Sequence, residues 1–141
     1  MKADDVVAEA RRWIGTPYLH QASRRGEGAD CLGLVRGVWR EVCGKEPVVP
    51  PAYTPDWAEA ERDERLWQAA RQHLCEVKRR PQVGDVVLFR MRSGMVAKHL
   101  GILSSLGSAP RFIHAYQRHG VIESPLSSPW QRRAVSFFEF P

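Results

Sequence analysis

Apolar residues recur at helical spacing close to the start of the chain. Val7, Ala10 and Ile14, with Val6 and Trp13 beside them, share one face of residues 4–14, Asp4 or Asp5 can cap this helix, and Gly15 supplies a stop. Gly15 to Tyr18 reads as a turn and Gln21 to Ala29 as a polar, glycine-containing loop. A second helix begins near Asp30, because Leu34 or Val35, Val38, Trp39 and Val42 recur every three or four positions before Gly44 breaks the pattern. Residues 46–55 hold four prolines and form a loop. Beyond them Asp56 to Lys78 carries Trp67, Ala70, Leu74 and Val77 at helical spacing, which predicts a peripheral helix broken near its start.

From Val83 the period shortens. Asp85 to Arg90, Lys98 to Ser104, Arg111 to Gln117, Gly120 to Glu123 and Ala134 to Phe140 are short aliphatic or β-branched runs that predict strands. Helices followed by strands predict an α+β fold in which N-terminal helices pack on a central antiparallel sheet. The 141 residues fit one domain with a single core, 1–141, carrying a helical insert at about 56–78. A hydrophobic content of 43% and a charged content of 26% are those of an ordinary globular chain, and no apolar run approaches a membrane span. The net charge of +5 favours an anionic partner, but the basic residues are scattered and not interleaved with aromatics, so nucleic-acid binding is not expected.

The three cysteines, Cys31, Cys43 and Cys75, have no CxxC spacing and form no disulfide framework. Cys43 and Cys75 lie on predicted helices and are assigned packing roles. Cys31 differs, because Asp30 can accept the free amide hydrogens of a helix start and Cys31 then occupies the first turn. Such a position can lower a thiol pKa from about 8.5 to roughly 3.5–7.5, which makes a nucleophile at neutral pH.

Two histidines, His99 and His114, lie in consecutive predicted strands. A symmetric hairpin turning at Leu106 and Gly107 sets them directly opposite one another, their side chains on one face with Gly101 and Leu103, while Leu100 and Ile102 face the helices. A thiol, an imidazole to exchange its proton and a third polar group to orient that imidazole are what thiol catalysis requires, and His114 fits the third role. A zinc site built from Cys31, His99, His114 and His20 has acceptable ligand types but lacks close-paired spacing, so neither metal nor organic cofactor is expected.

Six segments, in order, carry a resemblance: Trp13-Ile14-Gly15-Thr16-Pro17-Tyr18, Asp30-Cys31-Leu32-Gly33-Leu34-Val35, Val83 to Phe89, His99-Leu100-Gly101-Ile102-Leu103, Phe112-Ile113-His114-Ala115 and Gly120-Val121-Ile122. Together they resemble the NlpC family of papain-like bacterial cell-wall cysteine peptidases. The resemblance implies a papain-like fold with Cys31 as nucleophile, His99 as base and His114 as orienting residue. It also implies Tyr18 as an oxyanion ligand beside the Cys31 amide, and Asp30 and His20 are further candidates for the oxyanion or substrate side of the site. Leu32, and Leu19 to Ala22, depart from the family's usual small residues and alter the expected cleft.

The bond such enzymes cut is generally the γ-D-glutamyl link to a diamino acid in murein stem peptides, whose carboxylates would suit Arg24, Arg25 and Arg118. The compact form resembles phage cell-wall peptidases, including those of gene transfer agents. A phage-like tail or baseplate is therefore an expected partner, and the periplasm or wall the expected site of action, after synthesis without a secretory signal. Two other readings are a structural tail or hub component with an inactive site, and a papain-like acyltransferase or amidase.

Overall fold

The computed structural model describes residues 2–49 and 64–141. Helix α1, Lys2–Arg12, has Asp4 and Asp5 in its first turn and Arg11 and Arg12 in its last, charges that complement the peptide dipoles. It ends earlier than the periodicity predicts. Gly15, at φ 93°, turns the chain and donates its N–H to the Val121 carbonyl, so Trp13 is buried while Ile14 is 43% exposed.

The polar loop contains a small hairpin, β1 (Ser23–Arg24) with β2 (Gly28–Ala29). Helix α2, Cys31–Val42, follows at once and buries Leu34, Val35 and Val38. Its approach to the loop is close, since a Cβ on Gly33 would lie 1.8 Å from the Ala22 carbonyl oxygen. Helix α3 spans Arg65–His73, and the part of the predicted helix before Glu64 lies outside the described residues. Its end differs from expectation: the chain leaves the helix at Leu74, and Cys75–Glu76 become the edge strand β3. Cys75 is thus exposed on a strand, not packed in a helix, whereas Cys43 caps the end of α2 and is half-buried. Nor is α3 merely peripheral, because Leu66, Ala70 and Leu74 join the main core.

Strands β4 (Val86–Phe89), β5 (His99–Ser105), β6 (Arg111–Tyr116), β7 (Gly120–Pro125) and β8 (Ala134–Glu139) complete an antiparallel six-stranded sheet ordered β3-β8-β4-β5-β6-β7. One face packs under the helices through Leu100, Ile102 and Ile113, against Val6, Leu34 and Val38. The other face is covered too, by Phe89, Leu103, Phe112 and the short helix α4 (Ser128–Arg133), which the apolar pattern does not reveal. Two-sided cover explains why Val86-Val87-Leu88-Phe89 is continuously apolar. Each such side chain contributes about 1.5–3 kcal/mol on burial, so this central strand is anchored from both sides.

Candidate active site

Asp30 sits before α2 with extended backbone, and its Oδ1 accepts the Gly33 amide at 2.7 Å while Oδ2 accepts that of Gln21 at 2.8 Å. This buried carboxylate caps the helix and pins the incoming loop. His20 lies beside it, its Nδ1 3.8 Å from Asp30 Oδ2 and its Nε2 3.3 Å from the side-chain Nε2 of Gln21.

Cys31 therefore enters the first turn of α2 at a fixed angle. Its Sγ–H is directed at the Lys98 carbonyl oxygen, 3.7 Å away, and the backbone of Leu100 also reaches the sulfur. Cys31 thus lies against the chain on both sides of His99.

The residue is partly exposed, yet burial of its sulfur pushes the thiol up to about 12, with the Asp30 charge adding to the effect and the backbone groups of Leu100, Leu32 and Cys31 opposing it. This corrects the expectation of a ready-made thiolate. The field of a helix start is worth about 0.3–1 kcal/mol, too little to offset the charging of an enclosed sulfur. The thiol at rest is protonated and donates to a carbonyl.

His99 and His114 meet as expected in kind but not in register. Ile102 faces Ile113 and Leu103 faces Phe112, a ladder two residues removed from the symmetric hairpin. The connection is centred further along, Pro110 has no N–H with which to extend the ladder, and the register shifts between Leu103 and Ser105. An offset of two preserves the face, so the histidines become diagonal neighbours. Nε2 of His99 lies 2.8 Å from Nδ1 of His114. Facing each other at this distance, these two nitrogens leave no room for a metal between them.

A residue absent from the sequence reading completes the row: Ser124, whose Oγ is 3.0 Å from Nε2 of His114. The signal for it was the strand run beyond Glu123, since Phe112 pairs with Ser124 and places its side chain on the histidine face. Trp130 of α4 was missed as well. Its ring lies 5.7 Å from that of His99 and 5.1 Å from that of His114, and burial holds both imidazoles below their ordinary 6.5, His99 to about 3 and His114 to about 4. His114 depresses His99 further and His119 depresses His114.

Tyr18 is half-buried beside this centre, held by a bridge to Ala29. Burial, then Cys31 and Asp30, push its phenol up to about 12, so it is a hydrogen-bond donor at neutral pH. Leu32 lines an apolar cavity of about 230 Å³ between α2 and α3 with Val35, Leu66 and Leu100. Arg24 and Arg25 are engaged by Glu27 and Glu9, and Arg118 is exposed in the turn between β6 and β7. A more concentrated basic groove, of about 390 Å³, is lined by Arg90, Arg132 and Arg133 next to Trp130.

Residues 15–139 match the profile of the NlpC/P60 family. The chain belongs to this family. It is 32% identical over 136 residues to the γ-DL-glutamyl hydrolase of Bacillus subtilis (strain 168), covering 96% of this chain and 29% of that protein. It is 33% identical over 129 residues to the murein DD-endopeptidase MepS/murein LD-carboxypeptidase of Escherichia coli (strain K12), covering 91% of this chain and 57% of that one. The chain thus spans between about a third and somewhat over half of these relatives. Among solved structures, the NlpC/P60 domain of the peptidoglycan hydrolase SagA superposes with a TM-score of 0.64 at 22% identity, over 98% of both chains. An NlpC/P60 protein from Bacillus cereus ATCC 10987 gives 0.67 at 20%, over 98% of this chain and 40% of its own. These likenesses confirm the NlpC/P60 fold expected from the sequence.

Proposed function

We propose that the chain is a cysteine peptidase of murein stem peptides, cutting the γ-D-glutamyl link to the diamino acid. The observation that carries this reading is the Cys31 sulfur against the backbone flanking His99, with the Nε2 of His99 held by His114 at 2.8 Å. Because Nε2 is engaged, Nδ1 is the ring nitrogen left to exchange protons with the thiol. Cys31 Sγ attacks the amide carbonyl as its proton passes to Nδ1 of His99. The C–N bond then breaks as that proton goes to the leaving amine. Water, losing a proton to Nδ1, next hydrolyses the thioester and the thiol is restored. The Cys31 amide and the Tyr18 hydroxyl donate to the oxyanion, one such donor being worth about a hundredfold or more in rate.

In this reading Arg132 and Arg133 of the basic groove offer charge to the carboxylates of the stem, and Asp30 acts as the cap that sets the angle of Cys31. His20, whose Nδ1 lies 3.8 Å from Asp30 Oδ2, is in this reading a substrate contact. Delivery within a phage-like tail or baseplate belongs to the same reading, and immunodetection of the protein in purified particles checks it.

The experiment is mass spectrometry of purified stem peptides incubated with the protein and with Cys31→Ala. Cleavage at the γ-D-glutamyl bond by the unaltered protein alone supports the reading. Absence of cleavage across several stem types, with folded protein, overturns it in favour of another acyl acceptor or an inactive hub.

A further inference from the structure

The histidine pair can exist in two neutral forms. In one, His99 carries its proton on Nε2 and donates it to Nδ1 of His114, leaving a lone pair on Nδ1 of His99. In the other, His114 carries its proton on Nδ1 and donates it to Nε2 of His99, so that Nδ1 of His99 bears a hydrogen and cannot accept the thiol proton. The 2.8 Å contact is satisfied equally by both. The choice must come from whatever meets the far nitrogen of His114.

That nitrogen, Nε2, meets Ser124 Oγ at 3.0 Å, on the adjacent strand β7. The other groups packed against His114 do not decide between the forms. Phe112, Tyr116 and Trp130 approach it through their rings, Tyr116 stacked at 5.3 Å. His119, stacked on Tyr116, acts on the charge of His114 and not on its proton position. Glu123, next to Ser124, is turned to the opposite side, where Ser104, Arg11 and Arg111 hold it.

We propose that Ser124 is a positioning residue of the site: of the two roles a hydroxyl can take toward Nε2 of His114, it accepts the Nε2–H, and in that form His99 presents a lone pair to Cys31. The three side chains form one diagonal row across β5, β6 and β7, and only its first member touches the reacting groups. The proposal rests on the reading of Cys31 and His99 as nucleophile and base. Its primary test does not need a substrate.

Long-range ¹H–¹⁵N spectra of the imidazoles, recorded on the resting protein at neutral pH, separate protonated from unprotonated ring nitrogens. The expected result is a protonated Nε2 and an unprotonated Nδ1 on both His99 and His114, with a mixture of forms in Ser124→Ala. Hydrolysis of stem peptides should show kcat lowered about five- to tenfold in Ser124→Ala with KM unchanged, the effect of one lost neutral hydrogen bond, and Ser124→Thr should restore it. A protonated Nδ1 on His114 of the unaltered protein overturns the proposal, as does a Ser124→Ala variant that keeps the assigned form and full kcat. If the unaltered protein cuts no stem peptide, the reading of its function fails while the spectra still decide the role of Ser124.

Discussion

The chemistry of the site is governed by enclosure. Cys31 and His99 are both held uncharged by burial, the thiol up to about 12 and the imidazole down to about 3, so in the proposed reaction the pair starts as thiol and free base and not as thiolate and imidazolium. The expected consequence is a flat kcat/KM between about pH 5.5 and 9. A limb near 6.5 in that profile would show His99 titrating as if in water. Stability responds differently. The unfolded chain takes up protons at both histidines below 6.5 while the folded chain refuses them until about 4, so the histidines' contribution to stability is complete above 6.5 and is lost as the pH drops. The loss should approach 1.4 kcal/mol per histidine per pH unit, read as a falling urea midpoint between pH 6.5 and 4.5. An unchanged midpoint would contradict the enclosure.

At the scale of elements, the position of Cys31 depends on how α2 meets the loop before it. Gly33→Ala would drive a methyl against the Ala22 carbonyl, which is backbone and has nowhere to yield. We expect a loss of about 1–3 kcal/mol in urea unfolding, together with lower kcat as the helix start shifts. Unaltered unfolding and activity would mean that the loop is not the seat of Cys31. The sequence made this arrangement legible through Asp30, whose cap and helix start follow from local chemistry. It made His99 and His114 legible as a pair because strand alternation survives an even error in register. It did not reveal Ser124 or Trp130, since their roles depend on which strands become neighbours and on a helix too short for a periodic signal. The end of α3 was misread because Leu74 continues the apolar spacing, whereas pairing of Cys75 and Glu76 with β8 claims the next residues for the sheet.

Across the whole molecule, His99 is tied to the distant helix α3. Glu64 accepts the Arg90 guanidinium and the Ala97 amide, both at 2.9 Å, and so grips the loop that delivers His99. Hydrogen bonds to a charged group are worth about 1.5–3 kcal/mol, and Glu64→Ala should lose about that much stability and also reduce kcat. Chemical denaturation beside stem-peptide hydrolysis checks this. A variant as stable and as active as the parent would mean that the loop holds its shape unaided.

The order of the sheet has a consequence for how the protein comes into being. Strand β8, which follows β4 to β7 in sequence, lies between β3 and β4 in the interior of the sheet, and Trp130 reaches the histidines from the helix just before it. During synthesis, β4 has no neighbour on that side until residue 139 has left the ribosome, and His99 has no cover until Trp130 has emerged. A nascent chain already containing Cys31, His99 and His114 therefore lacks their arrangement until β8 has taken its place between β3 and β4.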